Sequence, residues 1–367
     1  MLDNYYYRYV RFYSKLVGLW PFDNSKQQTI RKWFIQAMFV LIIVYQVRIM
    51  FLCKNNINEL LGCMIILMIN IIVLIKYYTC TFNYDVMKTL FTNIERDWAE
   101  LKCINDMNIL KKYSRSSYLY ERYLIWTTWI VYSSVIIINI AMNYSAYFIN
   151  VVNVLNEIDY YIFIVFIDIV IIFSVIILIS TDSIYITIMH HVCAVFNITS
   201  YRFKHLFDDI RKMNVAYSKY ILQNRIVNIV KHHWKCIEYI NLLDSYYSIS
   251  IVMQYLIITI IFTLKFYKVY ECIKTNHVRK LIIILIDIVQ NYVLLFLHSY
   301  PATKLTKHSE FLLNSAYNAC WYETPVYIQK MFKFVLQNTL KSYHLGISEV
   351  FFITFESMSK VYTHHDL

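Results

Sequence analysis

Glycine and proline are almost missing from this sequence. Three of each occur in 367 residues (Gly18, Gly62, Gly346; Pro21, Pro301, Pro325), and no two glycines lie within forty positions. A phosphate-cradling loop or a dinucleotide fingerprint needs two or three glycines within about six residues, so both are excluded. Collagen-like, linker-rich and disordered classes fall with them. Charge is scarce as well, at 16% of residues. No HExxH, Ser/His/Asp or paired-carboxylate pattern stands out, so nothing in the sequence points to an enzyme or calls for a cofactor. What is abundant is apolar: 59% of residues are hydrophobic and 18% aromatic, against roughly 45–50% apolar in a soluble domain.

The apolar residues come in blocks near the roughly 20 residues that a helix needs to cross a bilayer. Six run at about 33–52, 60–78, 123–143, 160–180, 249–267 and 281–300, and a weaker seventh, 345–362, is interrupted by Glu349, Glu356 and Lys360. The fourth holds sixteen Ile, Val, Phe and Leu, each worth about −0.3 to −0.6 kcal/mol on an insertion scale, which outweighs the roughly 3 kcal/mol cost of Asp168 at its centre. The blocks lack the alternation of barrel strands, and lipid admits only helices or closed barrels. The expected fold is all-α: a polytopic membrane protein with seven transmembrane helices.

Lys and Arg give the orientation. Segments 1–32, 79–122, 182–248 and 301–344 carry six, seven, eight and five, whereas the first outer connection has Lys54 alone and 144–159 has none. The 265–280 connection, with five, breaks the pattern. The bias predicts a cytoplasmic N-terminus and an extracellular C-terminus. The N-terminus shows no cleavable signal, since no apolar run precedes Trp20. The net charge of +11 is then accounted for by membrane lipid rather than nucleic acid. The organisation that follows is a cytoplasmic segment 1–32, spans one to four over 33–180 with a helical connection at 79–122, and a cytoplasmic helical connection 181–248. Spans five and six follow over 249–300, then an anchor segment 301–344 and a terminal helix with its tail over 345–367. Within the connections, Val86, Leu90, Ile94, Trp98 and Leu101 make one apolar stripe, and Val227, Val230, Trp234 and Ile237 read as a packing seam. Each is expected to pack within the chain or on a neighbouring subunit.

Eight cysteines show no CxxC; they read as free thiols, with a disulfide among Cys53, Cys63 and Cys272 as the alternative. His232 with Cys236 and His190 with Cys193 share helix faces, but two ligands fall short of a zinc site. Asp168 and Asp287 are the intramembrane charges, each either part of a functional site or a partner in a helix–helix contact. Arg48 reads as a snorkelling structural cation. Met64, Met68, Asn139, Met142, Tyr160, Tyr161, Phe163 and Phe166 enrich the outward halves of the spans, as a cavity for a small apolar ligand or as bundle core and interfacial belt. Of two sequons, Asn143-Tyr-Ser145 falls outside and Asn197-Ile-Thr199 inside, so only Asn143 is a glycosylation candidate.

Several stretches resemble the insect odorant receptor family. They are Gly18-Leu19-Trp20-Pro21, IERDWAELK (94–102) followed by YSRSSYLYER, VKHHWKCIEYINLLDSYYS (230–248), KLTKHSEFLLNSAYNACWYETP (304–325) and FFITFES (351–357). The resemblance covers nearly the whole chain in order. It implies an odorant-specific subunit of a ligand-gated, non-selective cation channel, assembled with a shared co-receptor as a heteromer, tetrameric in the family. It also implies the plasma membrane of an olfactory neuron's dendrite. By position it implies a pocket for a small volatile molecule lined by Met64, Met68, Asn139, Met142, Phe163, Phe166 and Ile284. Tyr317 and Trp321 would belong to a cytoplasmic anchor, and Ser348, Phe352, Phe355 and Ser359 to the pore helix. The sequence departs from the family beyond Val361, where members continue for a further turn or more. The alternative expectation is therefore a truncated, non-conducting member. A G-protein-coupled or gustatory-type chemoreceptor fits less well, because the third span lacks an acidic-Arg-aromatic end and the last helix lacks Thr-Tyr-x5-Gln-Phe.

Overall fold

The computed structural model describes residues 5–339 apart from 24, 53, 55–56, 102, 142–156, 209–214, 320 and 324–325. Among the described residues no strand occurs. The helices are α1 (Arg8–Leu16), α2 (Lys26–Leu52), α3 (Ile57–Phe82), α4 (Tyr84–Glu100), α5 (Ile104–Ala141), α6 (Glu157–Lys204), α7 (Val215–Lys274), α8 (Val278–Tyr317) and α9 (Val326–Thr339). Short 3-10 turns occupy Tyr5–Tyr7 and Trp321–Glu323.

Five of these are long and apolar enough to cross a membrane: Lys26–Phe51, Leu60–Phe82, Asp168–Lys204, Tyr220–Lys274 and Lys280–Tyr317. They contain the first, second, fourth, fifth and sixth apolar blocks. The third block lies on α5, which is helical to Ala141; the seventh lies outside the described residues. At 1.5 Å per residue, the 48 residues of α6 reach about 72 Å, more than twice the hydrocarbon thickness. The spans therefore continue as an extramembrane bundle, as the stripes in the connections predicted. Two breaks between long helices are very short. α3 and α4 are parted only at Asn83, and the expected connection at 265–280 reduces to Thr275–His277, where Asn276 takes φ 56°.

α6 is the hub, packing on α5, α8, α1, α7 and α3. Its richest apolar stretch is 61% buried, against 22% for α2 and 17% for α8, so the dense core lies around the extramembrane half of α6, from Ile184 to Phe203. α4 buries Leu90, Ile94 and Trp98 of the predicted stripe, together with Met87, Phe91 and Asp97. The predicted α7 seam is only partly covered within the chain, with Val230 and Ile237 half-buried. Trp234 and Val227 face outward, and the buried face is Leu222, Ile226, Ile229, His233, Cys236, Ile240 and Leu243. Both sets have three-four spacing; the second is buried because it shares its side of the helix with Tyr239, which reaches a buried carboxylate on α4.

Two of the rare helix-breaking residues have specific tasks. Gly18 closes α1 in the left-handed region (φ +73°), its N–H bonding Lys15 O at 3.1 Å while Leu19 N–H bonds Ser14 O at 2.7 Å. This is a Schellman cap, with Leu19 fully buried as its hydrophobic contact. Gln28 Nε2 then donates to Gly18 O and Trp20 O, fixing the entry into α2. Pro301 lies inside α8. Having no N–H, it leaves the carbonyl of Leu297 without its helical donor, and the Tyr120 hydroxyl of α5 donates to that oxygen at 2.8 Å.

Candidate functional site

The predicted ligand-lining residues fall on four helices. Met64 and Met68 lie half-buried on α3, where Met68 packs on the Ile65, Ile257 and Ile261 cluster shared with α7. Ile284 is half-buried on the outer part of α8. Asn139 occupies a position on α5, and Phe163 and Phe166 positions on α6. Met142 and Asn143 lie outside the described residues, as do Ser348, Phe352, Phe355 and Ser359.

Beside these positions is an ion pair that the charge count had hidden. Lys265, among the basic residues that broke the pattern of the connections, is buried in α7 with its Nζ 2.7 Å from Asp287 Oδ2 on α8. Asn291 Nδ2 donates to the other carboxylate oxygen at 3.0 Å. Asp287 is thus a partner in a helix–helix contact. One turn on, the Lys268 ammonium sits 2.9 Å from where a Cβ on Gly62 would be, so the glycine of α3 makes room for it. The missed signal was the helical spacing of Lys265 and Lys268, visible once α7 is extended past residue 267. Asp168, the other intramembrane acid, is half-buried on α6.

A second ion pair, Lys76 Nζ to Asp182 Oδ1 at 2.5 Å, ties α3 to α6. Below it the family-like stretches converge. Asp97 of 94–102 accepts at Oδ2 from His191 Nε2 (2.9 Å) and from the Tyr239 hydroxyl (2.8 Å), while Lys235 pairs with Oδ1. Tyr239 and Lys235 belong to 230–248. Burial alone would raise the Asp97 pKa, but His191 and Lys235 outweigh it and hold the carboxyl below its ordinary value. Trp98 Nε1 donates to the Tyr7 hydroxyl at 2.8 Å. His308 of 304–325 meets Tyr113: Asn197 Nδ2 donates to the Tyr113 hydroxyl at 2.7 Å, and that oxygen lies 2.8 Å from His308 Nε2. Burial pushes His308 down to about 4, so its ring is neutral, and its tautomer sets which partner donates in this hydrogen bond. The amide nitrogen of the inner sequon is engaged in this chain.

Glu121, within the basic stretch of α5, is not a surface charge. It is fully buried, and its Oε1 accepts from Ser117 (3.0 Å) and Thr187 (2.8 Å). Burial pushes its pKa up to about 8 against those hydrogen bonds, so it is protonated at neutral pH.

The histidine–cysteine pairs are packed apart from any metal chemistry. His190 Nδ1 lies 3.0 Å from Ile186 O, and Cys236 Sγ lies 3.5 Å from Thr199 Oγ1. Among the described residues no three His, Cys, Asp or Glu converge. Cys272 is a free thiol, Cys63 is buried on α3, and Cys53 lies outside the described residues. Of the predicted anchor residues, Tyr317 is exposed and Trp321 half-buried. They line a groove of about 420 Å³ between α8 and α9 with Leu313, Val326 and Leu336.

Residues 56–362 match the family described as 7tm Odorant receptor. Curated protein sequences give no match. Among solved structures, the chain superposes on the insect olfactory receptor OR5 from Machilis hrabei with a TM-score of 0.73 at 10% identity, covering 97% of this chain and 94% of that one. The same receptor in complex with eugenol gives 0.72 at 10% identity, covering 98% and 96%. At such identity the likeness is one of fold.

Proposed function

The chain belongs to the odorant receptor family, and from that membership we propose that it is the odorant-specific subunit of a ligand-gated, non-selective cation channel. The observation that carries the reading is the family match over residues 56–362, on a chain whose apolar helices overshoot the bilayer into a densely packed extramembrane bundle. That bundle is the anchor on which subunits meet, with Tyr317 and Trp321 in its groove. The co-receptor of the family is the second chain of a tetrameric heteromer. The Lys and Arg bias supports a cytoplasmic bundle, with the outer ends of the spans at the extracellular face of the plasma membrane.

The ligand is a small volatile molecule held in the outer half between α3, α5, α6 and α8, with Met64, Met68, Asn139, Met142, Phe163, Phe166 and Ile284 as its lining. A receptor of this fold has been solved with eugenol bound, which supports a compact, largely apolar ligand. Ligand binding favours the open state by its differential affinity for that state. The segment containing Ser348, Phe352, Phe355 and Ser359 lines the pore and widens a dewetted constriction on opening.

The test is co-expression with the family's co-receptor in a cell lacking both, with current recorded across an odorant panel. Ligand-dependent current that needs both chains supports the proposal. Phe163→Ala with Phe166→Ala should move the concentration–response curve at least roughly tenfold; an unmoved curve overturns the pocket. A surface-delivered chain that never yields current overturns conduction. A C-terminal tag reached only after permeabilisation overturns the orientation.

A further inference from the structure

α1 is two-faced, and the bundle uses only one face. Tyr7, Val10, Ser14 and Val17 are buried against the core. The opposite side shows Arg8, Phe12 and Leu16 at four-residue intervals, flanked by Lys15; Phe12 is 61% and Leu16 46% exposed. No acidic residue occurs anywhere from Tyr5 to Phe22. A merely solvated face would not carry two large apolar side chains between cations, nor exclude acids over eighteen positions.

The C-terminal end of α1 is tied to the membrane boundary from two sides. Arg31, two residues before the first apolar block, donates Nη1 to Lys15 O at 2.6 Å. Tyr77, at the end of the second block, donates its hydroxyl to Val17 O at 3.5 Å. The nine residues of α1 span about 14 Å, so Lys15 and Leu16 stand at the headgroup level. Phe12 is one turn away, and Arg8 two turns away with a side chain long enough to reach back. Beside this end, α2 presents Ile30, Trp33 and Phe34, all more than half exposed, as part of the lipid-facing surface of the first span.

We propose that the exposed face of α1 is a binding site for an anionic phospholipid, with Lys15 and Arg8 on the headgroup, Phe12 covering it, and Leu16 at the boundary where its acyl chains begin. The site is continuous with the lipid-facing side of α2, so one lipid lies across both. Charge chooses the lipid class: Arg8 and Lys15, outnumbering Asp23, whose charge Lys15 feels, select phosphatidylserine-like headgroups over zwitterionic ones. The bound lipid fixes the entry to the first span. The inference rests on the proposed orientation only in assigning the lipid to the cytoplasmic leaflet.

The experiment uses the full chain in phosphatidylcholine nanodiscs doped with a photo-crosslinking phosphatidylserine, or with a photo-crosslinking phosphatidylcholine, and maps the labelled peptides. Neither odorant nor current is involved, and both leaflets carry the probe, so failure here is distinct from failure of the channel reading or of the orientation. The serine lipid should label the peptide containing residues 8–16 in preference to the choline lipid, and added salt should weaken that preference. Arg8→Gln and Lys15→Gln should each lower it roughly fivefold, while Lys231→Gln, in the extramembrane part of α7, leaves it unchanged. Equal labelling by the two lipids, labelling confined to other peptides, or chain-to-chain crosslinks through Phe12→Cys would overturn the site. The wild-type comparison and its salt dependence decide the question even if a variant fails to fold.

Discussion

The helix-internal proline offers a sharp test of how the extramembrane bundle is joined to the spans. Tyr120→Phe removes one hydroxyl and leaves the ring free to stay stacked on Tyr300, 5.7 Å between centroids and 16° from parallel. The lost donor is the partner of Leu297 O, which has no backbone donor because residue 301 is proline. Leu297 is only 4% exposed, so its carbonyl would stay unsatisfied at a cost of about 1–3 kcal/mol. Pro301→Ala restores an N–H four residues on, and the carbonyl then has its helical partner without the tyrosine. The four corners of the cycle should therefore couple. Tyr120→Phe should be costly in the wild-type chain and nearly free in the Pro301→Ala background, with a coupling energy of about 1–2 kcal/mol. Unfolding of the purified chain in nanodiscs, followed by heat and by denaturant, reads all four corners; a loss of 2 kcal/mol amounts to about 2–3 °C for a chain of this size. An equal loss in both backgrounds would refute the reasoning, because the cost of losing the hydroxyl would then not depend on whether Leu297 O has a backbone donor.

Three further outcomes follow from the same physics. Glu121 is raised from 4.5 to about 8 on folding, so its contribution is fully present below pH 4.5 and is lost as pH rises towards 8, at about 1.36 kcal/mol per pH unit. At pH 7 this amounts to about 3 kcal/mol, and Glu121→Gln should match wild type in melting near pH 4.5 and exceed it at pH 7; parallel pH profiles would contradict a buried neutral acid. Lys265→Met should cost about 3–5 kcal/mol by leaving Asp287 uncompensated, and Lys265→Met with Asp287→Leu should recover most of the surface expression, since a buried pair is worth little against apolar replacements; a double variant as poor as the single would show that the charges act separately. Gly18→Ala places a Cβ 3.0 Å from Gln28 O at a φ of +73°, which predicts a loss of about 1–2 kcal/mol, whereas Gly62→Ala displaces only the flexible end of Lys268 and should melt within about 1 kcal/mol of wild type.

The spans were legible because lipid leaves the chain few options. A run of Ile, Val, Phe and Leu such as 160–180 has only one way to satisfy its backbone there. The helical continuations were legible for the same reason as any amphipathic helix, and Leu90, Ile94 and Trp98 are buried as the stripe predicted. The buried face of α7 was not fully legible, because periodicity gives a face but not which of two overlapping faces packs within the chain. The choice was made by a long-range contact, Tyr239 to Asp97, across 142 positions of sequence. The burial of Lys265 and Glu121 was not legible, because a charged residue in a sequence marks water by default, whereas a partner or a proton accommodates it in the interior. The positions assigned to the ligand were legible only through resemblance. Periodicity does not distinguish a methionine that lines a cavity from one that fills a core, and Met68 packs on Ile65, Ile257 and Ile261.

The stretches that carried the resemblance prove to be mainly devices for assembling the fold rather than for choosing a ligand. Gly18-Leu19-Trp20-Pro21 is a helix cap with a buried indole that packs on Phe91, 5.4 Å between centroids. Asp97, Lys235 and Tyr239 form one hydrogen-bonded joint between α4 and α7, with His191 of α6 inside it, and the neighbouring Trp98 ties α4 to Tyr7. Such joints demand particular donors at particular places, because an unmet polar group in a dry bundle costs more than a lost apolar contact. The outer halves carry one such joint, Lys265 with Asp287 and Asn291; the apolar stretches of α2 and α8 are otherwise lightly buried, and apolar side chains of similar size substitute for one another at low cost. The chain shares its fold with an olfactory receptor over 97% of its length at 10% identity. In this chain the polar joints are what hold the helices in register.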